Sequence, residues 1–268
     1  MRIWGIAVLL LASACQQQKQ QTPAKPPEIT FDGAQVTNAA AKVAHGERLS
    51  WSLGCRGCHA ETLEGHRFYE AYASNLTRDL RNYSDAEIEK VLRTGVPHDG
   101  RDLWGMPAEI FQHLSAADMA ALIAHLRTLK PSGAPDQGLL PFGKETKDLI
   151  AKGKLKPAAA FVREQKDKLP ADVGEQHALG RYLTEVTCAE CHGSELKGDE
   201  GFTPDLVAAG AYSRAEFETL MTKGVPAGGR KLKNPLMGEV ARERFTHFTL
   251  HERDALYAYL KARASKAE

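Results

Sequence analysis

Four of the chain's five cysteines fall in two copies of one pattern, Cys55-Arg56-Gly57-Cys58-His59 and Cys188-Ala189-Glu190-Cys191-His192. Two thiols three positions apart, followed directly by an imidazole, form the arrangement that attaches c-type haem. Each thiol can bond one vinyl group of a porphyrin, and the histidine then stands beneath the iron. A single copy could be half of a zinc site. Two copies point to covalent haem at Cys55, Cys58, Cys188 and Cys191, with His59 and His192 as proximal iron ligands. A neutral imidazole binds iron through one nitrogen while the other donates to a carbonyl or carboxylate.

The segments around the two motifs repeat as well. Gly46-Glu47-Arg48-Leu49 precedes the first and Gly180-Arg181-Tyr182-Leu183 the second; Leu63-Glu64-Gly65 and Leu196-Lys197-Gly198 follow them. Tyr83-Ser84-Asp85-Ala86-Glu87 answers Tyr212-Ser213-Arg214-Ala215-Glu216, and serine with glutamate three positions later marks a helix start. Both of these helices should stop at Gly-Val-Pro, at Gly95 and Gly224. A last helix in each copy begins at Ser115 with Asp118, or at Thr249 with Glu252. Met119, Leu122, Ile123, Leu126 and Leu129 then share one face of the first, and Leu256, Tyr259 and Leu260 continue the second. Strand signals are nearly absent, so each copy reads as a small all-α domain.

On these residues both copies resemble class I cytochrome c domains, over roughly 40–130 and 172–264. The resemblance implies an all-α chain of two tandem domains, each built around one haem c, with its first and last helices crossing near a haem edge. It also implies a proline carbonyl as partner of the proximal histidine. Thr203-Pro204-Asp205-Leu206 supplies one in the second copy, whereas Ser74-Asn75-Leu76 has serine at that place in the first.

The distal ligand decides the chemistry. Met106, in Trp104-Gly105-Met106-Pro107, resembles the family's methionine-proline ligand loop, and Met237, in Pro235-Leu236-Met237-Gly238, is its counterpart without the following proline. Met221 and Met119 read as core residues. His113 and His247 occupy equivalent places two residues before the last helix caps, and remain rivals as distal ligands or as contacts to a propionate. Arg101 and Arg230 are either propionate partners or turn arginines in solvent.

The first residues read as a signal peptide, 1–14: Arg2, an apolar run from Ile3 to Leu11, and small residues at 12–14. Leu11-Ala12-Ser13-Ala14-Cys15 resembles a bacterial lipobox, which implies a lipidated Cys15. The alternative is ordinary cleavage. A Gln/Pro/Lys-rich segment follows, so 15–39 reads as a lipidated tether, 40–130 as the first domain and 131–171 as a long Pro/Lys-rich linker. The second domain takes 172–268. Residues 156–168 are expected to add a short helix, and the linker to wrap over both domains.

A net charge of +1 gives no reason to expect a nucleic-acid partner. Histidine and methionine together fill both axial positions and raise the reduction potential, leaving one-electron transfer. The expected function is electron relay between a redox protein donor and acceptor, free or as the cytochrome subunit of a dehydrogenase or oxidase complex. The expected place is the periplasmic side of a bacterial membrane, held by the lipid anchor alone. The alternative is a dihaem enzyme of the peroxidase type with an openable distal site at the second haem.

Overall fold

The computed structural model describes residues 27–68, 71–135, 141–230 and 235–267. The signal peptide and Cys15 lie outside them. The first copy runs α1 (Ala39–Ser52), α2 (Cys55–His59), a hairpin β1 (His66–Phe68) with β2 (Ala71–Ala73), α3 (Leu76–Asp79), α4 (Asp85–Thr94), α5 (Ala108–Phe111) and α6 (Ala116–Leu126). Two helices lie between the copies, α7 (Lys144–Ala151) and α8 (Ala158–Gln165). The second copy runs α9 (Ala178–Leu183), α10 (Ala189–His192), α11 (Arg214–Lys223), α12 (Leu236–Arg244) and α13 (Leu250–Ala267).

Local chemistry sets the helix ends. Ser84 and Ser213 close reciprocal capping boxes with Glu87 and Glu216. Gly95 and Gly224 end the same helices in the left-handed conformation, at φ of 67° and 69°, which costs a residue without Cβ little. The Thr249 and Glu252 pair closes a third box: the Thr249 amide donates to the Glu252 carboxylate at 2.8 Å, and the Glu252 amide to the Thr249 hydroxyl at 3.1 Å.

Inside each copy the first helix crosses the last, α1 on α6 and α9 on α13. The crossing is close enough that a Cβ on Gly46 would overlap the Ala121 carbonyl, and one on Gly180 the Ala255 carbonyl. Leu49, Leu122, Leu183, Leu256 and Tyr259 fill these crossings and are fully buried, as are Met119 and Met221.

The all-α reading holds, with one short hairpin beside the helices. The sequence shows almost no strand signal, yet β1 and β2 pair antiparallel, His66 opposite Ala73. The excursion after the first motif, from Leu63 to Leu76, is three residues longer than its counterpart from Leu196 to Leu206. In both copies its ends are tied by the same amide-to-carbonyl bond at 2.9 Å. The extra residues pair with themselves in the first copy; in the second a single bridge, Asp199 with Thr203, suffices.

The copies meet as the halves of a twofold pair. Arg48 and Tyr182 hold equivalent positions, as do Asp118 and Glu252. Arg48 donates to Glu252 at 2.8 Å and 3.0 Å, and the Tyr182 hydroxyl donates to Asp118 at 2.8 Å. The contact is isologous, each copy offering the other the same patch. Of the tether expected over 15–39, Phe31 is packed into this seam, while 27–29 and 35–39 are exposed. Phe31 is 1% exposed, edge-on to Tyr182 and Phe248. The Glu28 carboxylate accepts from the Ala116 amide at 2.7 Å, and the Asp32 amide donates to Glu252 at 2.8 Å.

The segment between the copies docks at both ends. The expected helix there is α8, which packs on α5 and α4, and the Ala158 amide donates to the Leu103 carbonyl at 2.8 Å. Trp104 forms a bridge with Pro157 and meets Phe142 edge-on. At the far end, Tyr259 and Arg181 donate to the carbonyls of Ala171 and Pro170.

Candidate functional site

Both proximal histidines are oriented the same way. His59, the last residue of α2, donates from Nδ1 to the Ser74 carbonyl at 2.8 Å, and His192, the last residue of α10, from Nδ1 to the Pro204 carbonyl at 2.8 Å. The serine in the first copy therefore does the work of the proline in the second, because only the backbone oxygen is used. Burial holds the His192 imidazole below its ordinary range, with the Pro204 bond opposing, which favours the neutral ring that iron binding requires.

The helix reaches each motif differently. The second copy has one residue fewer between Gly180 and Cys188 than the first has between Gly46 and Cys55. It arrives through a π-helical turn at Thr184–Cys188, whereas the first copy breaks at Leu53 and restarts from Gly54. None of the four cysteines is tied up in a disulfide. Before a haem is attached, burial pushes Cys55, Cys188 and Cys191 up to about 11 and Cys58 to about 12, with Glu190 adding to the rise at Cys58 and Cys191. Among the described residues no three His, Cys, Asp or Glu side chains converge as a metal cage, so a zinc site is not built around either motif. Buried thiol pairs, an imidazole fixed through one nitrogen and an apolar surround are what a covalently held porphyrin requires.

Met106 and Met237 are both half-buried against the core. Met106 lies in a loop between Gly105, at φ 78°, and Pro107, which opens α5; Met237 lies in the first turn of α12. The rival histidines lie at the seam, His113 with its Nε2 buried and without a hydrogen-bond partner. His113 Nδ1 lies 3.1 Å from the Glu185 carboxylate, and His247 stacks on Trp51 with centroids 4.9 Å apart. Arg101 pairs with Asp99 at an exposed turn, and Arg230 bonds the Ala227 carbonyl beside it.

The twofold contact brings the motifs together. Helix α5 packs on the π-helical turn and α10, and α1 on α12. Glu109 of α5 is caught there. Its Oε2 is buried without a hydrogen-bond partner, and burial, with a further push from Glu190, raises its pKa to about 7. A carboxyl raised in the folded state above its ordinary 4.5 costs stability progressively as pH climbs from 4.5 through 7. Glu109→Gln is therefore expected to raise the thermal midpoint most at pH 8 and hardly at all at pH 4. Equal gains at both would show that the carboxyl is not buried as described.

The chain is similar to three curated proteins. It is 26% identical over 244 residues to a subunit of nicotinate dehydrogenase from Pseudomonas putida, covering 83% of this chain and 19% of that protein. It is 27% identical over 211 residues to a diheme cytochrome c-type protein of Cereibacter sphaeroides, covering 70% and 67%. It is 26% identical over 169 residues to the fructose dehydrogenase cytochrome subunit of Gluconobacter japonicus, covering 56% and 34%. This chain thus spans a fifth of the first relative and a third of the last. The sequence model described as Cytochrome c matches twice, over 43–130 and 177–264, which takes in both motifs and most of the folded chain. The chain belongs to the Cytochrome c family as a tandem protein with two covalently bound haem c groups.

Proposed function

We propose that the chain relays single electrons as the cytochrome subunit of a dehydrogenase. Cys55 and Cys58 hold one haem and Cys188 and Cys191 the other, with His59 and Met106, and His192 and Met237, on the two irons. The observation that carries this reading is the matched pair of Nδ1-to-carbonyl bonds at 2.8 Å, which holds the two motif imidazoles in the same way. When bound, each haem supplies reversible one-electron iron chemistry. The protein's part is to fix the imidazoles, to close the sixth position with a thioether that raises the potential, and to exclude water around both. Two relatives named as dehydrogenase subunits support such a partner, which would deliver or accept electrons at an exposed haem edge. The reading keeps the protein on the periplasmic side of a bacterial membrane, lipid-anchored through Cys15.

Peroxidase activity would need a distal position that opens. Three relatives named as cytochromes or dehydrogenase subunits do not favour it, and Met106 and Met237 are the proposed distal ligands, with His113 and His247 as their rivals. Carbon monoxide is the test. The reduced native protein is expected to form no adduct, and Met106→Ala to open one haem to it while halving the near-infrared methionine–ferric band. Ready binding by the native protein would overturn the relay reading.

A further inference from the structure

The twofold is also broken in charge at the motifs. Where the first copy has Gly57 and Ile110, the second has Glu190 and Arg244, and these two side chains form an ion pair through both guanidinium ends, the longer bond at 3.4 Å. Glu190 stands between Cys188 and Cys191. Arg244 closes α12 and is 9% exposed, so the charge is held out of water. Its guanidinium lies flat on Gly54, the residue before Cys55, so closely that a Cβ there would overlap Cζ, Nε and Nη2. One cation therefore touches the approach to the first motif and the interior of the second.

We propose that the Arg244–Glu190 pair is a charge element shared by both haem sites and sets their two reduction potentials together. The proposal rests on the four cysteines carrying the haems. A fixed cation opposes the ferric state, which bears one more positive charge than the ferrous, and so raises a potential; a fixed anion lowers it. In a low-dielectric seam such a charge acts over longer distances than at a surface. Glu190 balances Arg244, so the pair leaves both centres near the value their axial ligands set, and each partner alone would displace both.

The test is a spectroelectrochemical titration of the haem-loaded full chain, whose two haems give two waves. Arg244→Gln is expected to move both waves to lower potential and Glu190→Gln to move both higher. The double variant, which buries no unpaired charge, is expected to return both close to their native positions. A purely structural role would not give opposite signs that cancel. Movement of one wave alone, shifts of the same sign from both single variants, or a double variant as displaced as either would overturn the proposal. If Arg244→Gln does not fold, Glu190→Gln decides: both waves higher supports the shared charge, and any other result rejects it. Failure of the haem assignment would show separately, as an unmodified motif in the mass of the denatured chain.

Discussion

A chain carrying Cys188→Ser with Cys191→Ser is expected to retain one covalent haem where the native protein has two. Apart from Cys55 and Cys58 of the first motif, no other cysteine stands among the described residues to replace them. Serine keeps the size and the helix but cannot form the thioether. The surviving haem should be the one at Cys55 and Cys58, because that motif folds on its own helix from Gly54 and takes its histidine acceptor from Ser74 within its own copy. The mass of the denatured protein and in-gel haem staining both measure this. A doubly substituted chain that still carries two covalent haems would remove the assignment of the second site, and with it the relay. The converse pair, Cys55→Ser with Cys58→Ser, should spare the second haem in the same way.

Asp118→Ala is expected to cost about 3–5 kcal/mol, the range for breaking a buried charged network by deleting one partner. The carboxylate is fully buried and accepts from four groups: the Phe31 amide at 3.0 Å, the Ser115 hydroxyl and the Tyr182 hydroxyl at 2.8 Å each, and His45 Nε2 at 2.8 Å. They come from the N-terminal segment, from α6's own cap, from the second copy and from α1, so one deletion strands donors in four parts of the fold. Chemical denaturation gives the loss directly. Tyr182→Phe removes two bonds across the seam, the one its hydroxyl donates to Asp118 and the one it accepts from the Ser115 amide at 3.0 Å, and should cost about 1–3 kcal/mol. In a cycle with Asp118→Ala the two effects should fall well short of additive. A midpoint unchanged by Asp118→Ala would mean that this hub does not hold the copies together.

Much of each copy was legible because its signals are local. The two five-residue motifs, the Ser84 and Glu87 and Ser213 and Glu216 boxes, and the stops at Gly95 and Gly224 each depend on residues a few positions apart, and the structure keeps them. What escaped is what one copy does to the other. Asp118 reads as an ordinary third-position cap, and nothing in its neighbourhood reveals that Tyr182, sixty-four positions on, bonds to it. The neighbours of His113 and His247 across the seam, Glu185 and Trp51, leave no local mark either. Phe31 stands in a stretch too short to show any periodicity, although its ring closes the junction. The Ser74 carbonyl was hidden for another reason: a backbone acceptor leaves no mark in side-chain identity. A clue did exist for the shared charge, since Glu190 and Arg244 replace small or apolar residues at equivalent places, but a repeat is searched for its agreements.

Two separate copies joined by the same exchange of Arg48 with Glu252 and Tyr182 with Asp118 would make a dimer whose assembly follows protein concentration. Here one continuous backbone supplies both halves, and its intervening segment is fastened at Leu103 on one side and at Arg181 and Tyr259 on the other. Encounter becomes intramolecular, with an effective concentration fixed by the linker rather than by the compartment. The neighbouring redox centres consequently stay together under any dilution, and the spacing between them is a constant of the folded molecule.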